Sequence, residues 1–406
     1  MEDLNEKLGK KLEQAIRKNN RKEFEFLLKL KADKNYKVGE AEIPLFWFAF
    51  EIGKDEFGYL LLDEGVDVNA KNKNGESIIF RVNNLEFAEK LYKKGLDVNV
   101  IKNDGSNPLI EAVRCNRFEM VGWLLEKGVD MYCVNNKENF ALMEASYSGY
   151  VLCLEKLLKK GVDVNFVNSN GMSALAVAKN VEIAKMLVEN GAKVDVVDND
   201  GNSLLITALE KRKKDVFRYL VESGANLEHK NKYGERVLWT CLKAGFYEEA
   251  EILVKNGANV KRDSNNIGNP LLYLVGEYGR RIVRDTDFID LLIKKGVDVN
   301  EIDESGNTVL GCASMFGDEK ILKCLIDNGA LVNLRDDDGK TALILSAMLD
   351  KLQNVKFLLE HGANVDIVDN GGHIAYDYAS GDAKKILGKY KKKKEFKSFL
   401  GKVFSR

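Results

Sequence analysis

Residues 191–224 read GAKVDVVDNDGNSLLITALEKRKKDVFRYLVESG, and this stretch decides the fold. Within Lys213–Ser223 the apolar residues are Val216, Phe217, Leu220 and Val221. That spacing is i, i+1, i+4, i+5, one stripe of an α-helix. Upstream, Leu205, Ala208 and Leu209 form a shorter stripe. Asn199-Asp200-Gly201 supplies a tight turn before it. Ser203 stands where an N-cap side chain would satisfy orphan N–H groups of the short helix. Gly224 follows the longer helix where a left-handed cap belongs, a conformation that glycine adopts without a Cβ clash. The stretch therefore predicts a turn, a short helix, a second turn, a longer helix and a glycine-capped exit.

Both phrases recur along the whole chain. The form G-[AVL]-x-[VLM] begins at Gly65, Gly95, Gly128, Gly161, Gly191, Gly224, Gly257, Gly296, Gly329 and Gly362. Its intervals are 30, 33, 33, 30, 33, 33, 39, 33 and 33. About ten residues later comes D/N-x-x-G-x-[TS]-x-L, as in Asp198–Leu205, Asp303–Leu310 and Asp336–Leu343. A fixed period of this length means stacked units, each burying its apolar stripe only against its neighbours.

The period and the second phrase together resemble the ankyrin repeat, whose core phrase is T-P-L-H-x-A. The closest copies are Ile43-Pro44-Leu45-Phe46 and Thr341-Ala342-Leu343-Ile344, and the similarity runs over residues 8–388. One departure is systematic. The family's His is absent, and its slot holds Phe46, Phe80, Ile110, Met143, Ala176, Ile206, Trp239, Tyr273, Gly311 or Ile344. Apolar packing is expected there in place of a polar network. The resemblance implies an all-α solenoid of helix–turn–helix units joined by β-hairpin turns, ending in an amphipathic helix. Register gives an N-terminal capping repeat at 1–37, ten repeats at 38–367 and a short last repeat at 368–388. The charged first unit suits an end that no neighbour covers.

Departures from the period are the functional pointers. Gly75–Gly95 and Gly171–Gly191 are three residues short, with the missing turn expected between the two helices. The interval of 39 carries an added turn with Tyr278, Arg280, Arg281 and Arg284. Guanidinium forks bind carboxylates or phosphates bidentately, so these arginines are candidate partner contacts. The resemblance further implies binding through hairpin tips and the concave ends of the first helices. By register those positions hold Phe50, Glu51, Arg114, Tyr147, Lys232, Tyr233, Glu235, Glu277, Tyr278, Met315, Phe316, Asp337, Lys340 and Met348. Exposed aromatics and methionines there would be interface anchors.

Charge is nearly balanced over the chain, with 62 Lys+Arg against 63 Asp+Glu, but not along it. Residues 384–406 hold ten basic residues and one acid, which leaves 52 basic and 62 acidic residues elsewhere. Residues 389–406 read as a basic amphipathic helix. Lys391, Lys392, Lys393 and Lys394 precede Phe396, Phe399, Leu400 and Phe404 at helical spacing. That helix is a cap on the last unit, or a contact with an anionic membrane surface or a partner groove. The acidic remainder disfavours nucleic acid.

Several chemistries lack their residues. Three histidines and six scattered cysteines give no metal-ligand spacing, and no cofactor is expected. Gly339-Lys340-Thr341 ends like a P-loop, yet Leu334 stands where its first Gly must be. Glu301-x-Asp303-x-Ser305-Gly306 begins like a calcium loop, yet Cys312 occupies its bidentate Glu position. The N-terminus lacks a secretory h-region, and the apolar stretch Ile43–Phe50 is too short to cross a bilayer. The expectation is a non-enzymatic protein-recognition scaffold in a cytoplasm, its own or a host's. A membrane-tethered adaptor, or an inhibitor, immunity or host-directed effector protein that binds an enzyme, is the alternative.

Overall fold

A computed structural model describes residues 2–261, 269–275 and 286–391. The chain divides into two compact units that meet in sequence at Asn199 and Asp200. Each unit is a stack of helix pairs. Almost all of the helical sequence falls in segments of six to nine residues, because the turn phrases interrupt every stripe after about two turns.

In the first unit, α1 (Glu2–Arg17) and α2 (Arg21–Lys29) form the opening pair. A two-stranded hairpin follows, Lys37–Val38 against Ile43–Pro44. The pairs α3 (Leu45–Glu51) with α4 (Asp55–Asp63), α6 (Pro108–Arg114) with α7 (Phe118–Glu126), and α8 (Ala141–Ser148) with α9 (Val151–Lys159) have full length. The two short repeats differ. Their first helix shrinks to a 3-10 turn, at Ile78–Phe80 and Leu175–Val177, ahead of α5 (Leu85–Lys93) and α10 (Val181–Glu189). The three absent residues were expected to come out of the connection between the helices. They come out of the first helix itself, since one α-turn needs 3.6 residues and a 3-10 turn only three.

The second unit continues with α11 (Leu204–Glu210), α12 (Lys214–Glu222), α13 (Val237–Ala244), α14 (Tyr247–Lys255), α15 (Pro270–Val275) and α16 (Thr286–Lys294). Then come α17 (Val309–Phe316), α18 (Glu319–Asp327), α19 (Ala342–Met348), α20 (Leu352–Glu360) and α21 (Ala375–Tyr378), and residues 381–391 are helical. First helices pack in sequential order, α11 on α13, α13 on α15, α15 on α17, α17 on α19 and α19 on α21. The longer helices α12, α14, α16, α18 and α20 form a parallel row.

Burial explains the order. On α12 only Val216, Phe217, Leu220 and Val221 are buried, the stripe read from the sequence. On α11 six of the seven residues are buried, because neighbours cover both sides and α12 covers the third. All ten residues in the family's His slot are buried. The capping glycines adopt the left-handed conformation throughout, with φ of +82° at Gly224 and +74° at Gly201 in the hairpin.

Two local expectations change. Thr308 and Thr341 cap α17 and α19 by accepting the N–H of Gly311 and Ile344. Ser203 occupies the N-cap of α11 but makes no such bond. The hairpin turns, expected as β-hairpins, form a two-residue ladder only at Lys37–Val38 among the described residues. Elsewhere they narrow to single bridges such as Ile302↔Thr308 and Arg335↔Thr341. The loops bond along the stack instead. Asn103 N–H donates to Asn74 O at 2.9 Å, and Asn136 N–H to Asp104 O at 2.8 Å.

Candidate functional site

Among the described residues, the expected contact positions fall on two kinds of surface: hairpin tips, and the ends of the first helices. Tyr147, in the last turn of α8, is 63% exposed, and Tyr233, in the tip 231–234, is 67% exposed. The Tyr233 ring lies 5.3 Å from Lys232 Nζ, which pairs with Asp200. Glu235 is half-buried and accepts from Lys243 Nζ at 2.5 Å. In the second unit α17 ends on half-buried Met315 and exposed Phe316, and the adjacent α19 ends on exposed Met348 followed by exposed Leu349.

Other candidates are placed differently. Phe50 closes α3 but is only half-exposed, with its ring 4.4 Å from Phe87 and 5.3 Å from Tyr59. The ring covers Gly58, where any Cβ would meet it at 2.4 Å. Phe50 is thus the centre of an aromatic cluster between neighbouring repeats. Lys340 is bound to Asp338 at 2.7 Å, and Asp337 donates its N–H to Gly306 O. Glu277, Tyr278, Arg280, Arg281 and Arg284 lie outside the described residues. So do Lys392, Lys393, Lys394, Phe396, Phe399, Leu400 and Phe404, and Lys391 is the last one described.

Arg114 belongs to a network that no single motif announced. Lys102 Nζ stands 2.8 Å from Glu111, 3.5 Å from Asp104 and 3.9 Å from Glu76, with its side chain only 11% exposed. Arg114 stands 3.3 Å from Glu111, 3.6 Å from Asp104 and 3.8 Å from Glu144. Arg81 pairs with Glu76 at 3.1 Å. Burial pushes the Glu111 carboxyl up, but the Lys102 hydrogen bond and the charges of Lys102 and Arg114 outweigh it and hold the group below its usual range. The signal was the period itself: Arg81 and Arg114 are 33 apart, as are Glu111 and Glu144. Between neighbouring repeats the ion pairs run from Glu76 to Lys102 and from Arg114 to Glu144.

Arg236 was likewise unforeseen. It takes the Ser/Thr position before α13, is buried, and reaches Glu228 at 2.6 Å and the carbonyls of Asn259 and Lys261 at 3.1 and 2.7 Å. It ties one hairpin to the next.

The reactive residue types are dispersed. His229 and His361 bind the carbonyls of Gly201 and Phe357, both at 2.7 Å, and His373 lies beside Asp369. Burial pushes the Cys153 thiol up to about 11 and Cys241 well above its ordinary value. Among the described residues no three His, Cys, Asp or Glu side chains gather as a metal site, and no helix is long and apolar enough to cross a membrane. What these surfaces offer is shape, aromatic area and paired charge.

The family model described as ankyrin repeats (3 copies) matches residues 45–135, 124–198, 142–231, 174–264 and 281–369. Comparison with curated proteins finds no match.

Proposed function

The chain belongs to the ankyrin-repeat family, and from that premise we propose that it is a non-enzymatic scaffold whose first-helix ends and hairpin tips grip a protein partner. Ankyrin repeats are generally protein–protein interaction modules, and the family is typically a non-enzymatic scaffold. The observation that carries the finer reading is the exposure of Tyr147 and Tyr233 at 63% and 67%. They stand on repeats whose other large apolar side chains are mostly buried. Tyrosine brings contact area, a polar tip and little entropy to lose, which is why it is enriched among interface anchors. The six cysteines are all unpaired, which suits a reducing compartment such as the cytoplasm.

The test is affinity capture from the source cells, identification by mass spectrometry, and titration of the purified partner against Tyr147→Ala and Tyr233→Ala. The reading requires weaker binding to at least one variant with stability unchanged. A second reading, an adaptor held at an anionic surface, has the +9 charge of residues 384–406 in its favour. Sedimentation with phosphatidylserine vesicles, with and without residues 389–406, separates the two.

A further inference from the structure

The described second helices share one register mark, a buried leucine, as at Leu27, Leu61, Leu91, Leu124, Leu157 and Leu387. In the first unit the residue just before that leucine faces the preceding repeat. Lys90 of α5 lies over the Tyr59 ring of α4 at 5.4 Å. Trp123 of α7 meets Tyr92 of α5 edge-on at 5.9 Å and donates to Glu89 at 3.0 Å. Lys156 of α9 lies against Gly122 of α7, 3.1 Å from where a Cβ would stand. The residue three past the leucine turns the same way. Lys94 donates to Leu62 O at 2.9 Å, and Lys127 pairs with Glu89 at 2.8 Å. On α4 the two positions are Leu60 and Glu64, which border one groove with Leu28 and Lys29 of α2.

On α2, in the first described pair, these positions hold Phe26 and Leu30. Phe26 is 60% exposed and Leu30 51%. Both are apolar where the end of a stack calls for polar side chains. The charge expected of that end sits on α1 instead, where Lys11 and Lys18 are exposed. The other end is built differently. Three residues before the leucine, second helices bury a residue toward the next repeat, as Phe24 does against Phe57 at 4.9 Å. Val121, Leu154, Phe217 and Val355 hold the same position and are fully buried. On the helix of residues 381–391 it holds Lys384, which is exposed. The last described helix thus breaks the stacking pattern with a charge, and the first pair leaves it open.

We propose that two copies of the chain associate head to head about a two-fold axis, α2 against α2, burying Phe26 and Leu30 of both. The exposed pair continues the repeat-to-repeat interface past the end of the stack, so what covers it must itself be apolar. A head-to-tail stack would press Lys384 of one copy onto Phe26 and Leu30 of another. The cation would lose its water there without gaining a counter-charge. Like against like avoids that cost, and a two-fold contact closes after two copies. The contact is one helix wide, well below a standard interface, so the association is weak and concentration-dependent. A dimer presents each partner-binding surface twice, which raises the avidity for a repetitive or oligomeric partner. The inference goes beyond the scaffold reading and uses neither Tyr147 nor Tyr233.

The test is sedimentation velocity of the full chain from about 1 to about 100 µM. The expected result is a monomer–dimer equilibrium with a ceiling of two copies. Phe26→Glu/Leu30→Glu and Phe26→Lys/Leu30→Lys should each weaken dimerisation about tenfold or more. Both positions are exposed, so folding should survive, and circular dichroism checks it. Mixed in equal amounts at low ionic strength, the two variants should recover a heterodimer, because the two-fold axis sets opposite charges face to face. Tyr147→Ala/Tyr233→Ala should dimerise like the parent. A monomer at every concentration overturns the proposal. So does growth past two copies, which would mean head-to-tail stacking. A dimer that both double variants leave intact places the contact elsewhere and overturns it, as does a mixture of the two that stays monomeric. A monomeric chain that still captures its partner through the tyrosines loses the dimer and keeps the scaffold reading. A dimer whose tyrosines have no effect on capture does the reverse.

Discussion

The side-chain amide of Asn69 donates to the carbonyl of Gly95 at 2.9 Å, bridging two successive repeats. Its oxygen accepts the N–H of Asp97 at 2.8 Å, so one side chain satisfies two backbone groups of the next exit turn. The same double bond recurs from Asn165 to Gly191 and Lys193, from Asn300 to Gly329 and Leu331, and from Asn333 to Gly362 and Asn364. Where another residue holds the place the job is shared out. The Tyr132 hydroxyl accepts from Asp163 N–H, and Glu228 accepts from Asn259 N–H. Asn69→Ala should therefore cost about 0.5–1.5 kcal/mol, the net worth of ordinary hydrogen bonds at a site that water can reach. Urea denaturation measures it, and Asn69→Asp, which keeps only the acceptor, should fall between.

The left-handed glycines divide into two classes. At Gly161, φ is +83° and a Cβ would meet nothing within 4 Å. Gly161→Val should cost roughly 1–2 kcal/mol, from backbone strain alone. At Gly105, φ is +81° and a Cβ would stand 2.9 Å from the backbone nitrogen of Asn136. That nitrogen is the one that bonds Asp104 in the hairpin ladder. Gly105→Ala should cost about 2–3 kcal/mol, because strain and a lost hydrogen bond combine. Thermal denaturation of the two variants side by side checks the order.

Acid should weaken the network around Lys102. The folded carboxyl of Glu111 is held below its usual range, and in the unfolded chain it returns to that range. Its stabilising effect is therefore complete above the ordinary glutamate value and is lost as pH falls through the lower, folded value. Glu111→Gln should be less stable than the parent by about 1 kcal/mol near neutral pH. That gap should close on going from about pH 5 toward pH 3. Chemical denaturation across that range gives the profile, and a gap independent of pH would count against the assignment.

Much of the fold was legible because its signals are local. Gly224, the stripe on α12 and the Thr308 and Thr341 caps need only neighbours within one turn. What the sequence hid depends on residues a full period away. Asn69 looks like a turn residue until Gly95 is beside it, and Phe50 looks like an exposed anchor until Phe87 and Tyr59 cover it. Glu42 and Glu138 hold the left-handed hairpin position, with φ of +53° and +62°, where repeats such as those of Gly75 and Gly105 have glycine, so the repeats around them match the phrase poorly. Of the candidate surface, Tyr147 and Tyr233 are as exposed as register implied. Arg114 is engaged by its own network instead.

The cysteines should label in order of burial. Cys115 is exposed, and Cys153 and Cys241 are buried with thiols held well above neutral pH. Only the thiolate is nucleophilic. Iodoacetamide at neutral pH should modify Cys115 in the native protein, with Cys153 and Cys241 protected until denaturant is added. Peptide mass spectrometry reads the order.

Hydrogen–deuterium exchange of the chain with and without its captured partner tests the central claim most directly. The account predicts slower exchange at the hairpin tips and first-helix ends, including the peptides that contain Tyr147 and Tyr233. It predicts loss of that protection when both tyrosines are replaced by alanine. Protection confined to the exposed faces of the second helices α9 and α14, unaffected by the tyrosine substitutions, would contradict it.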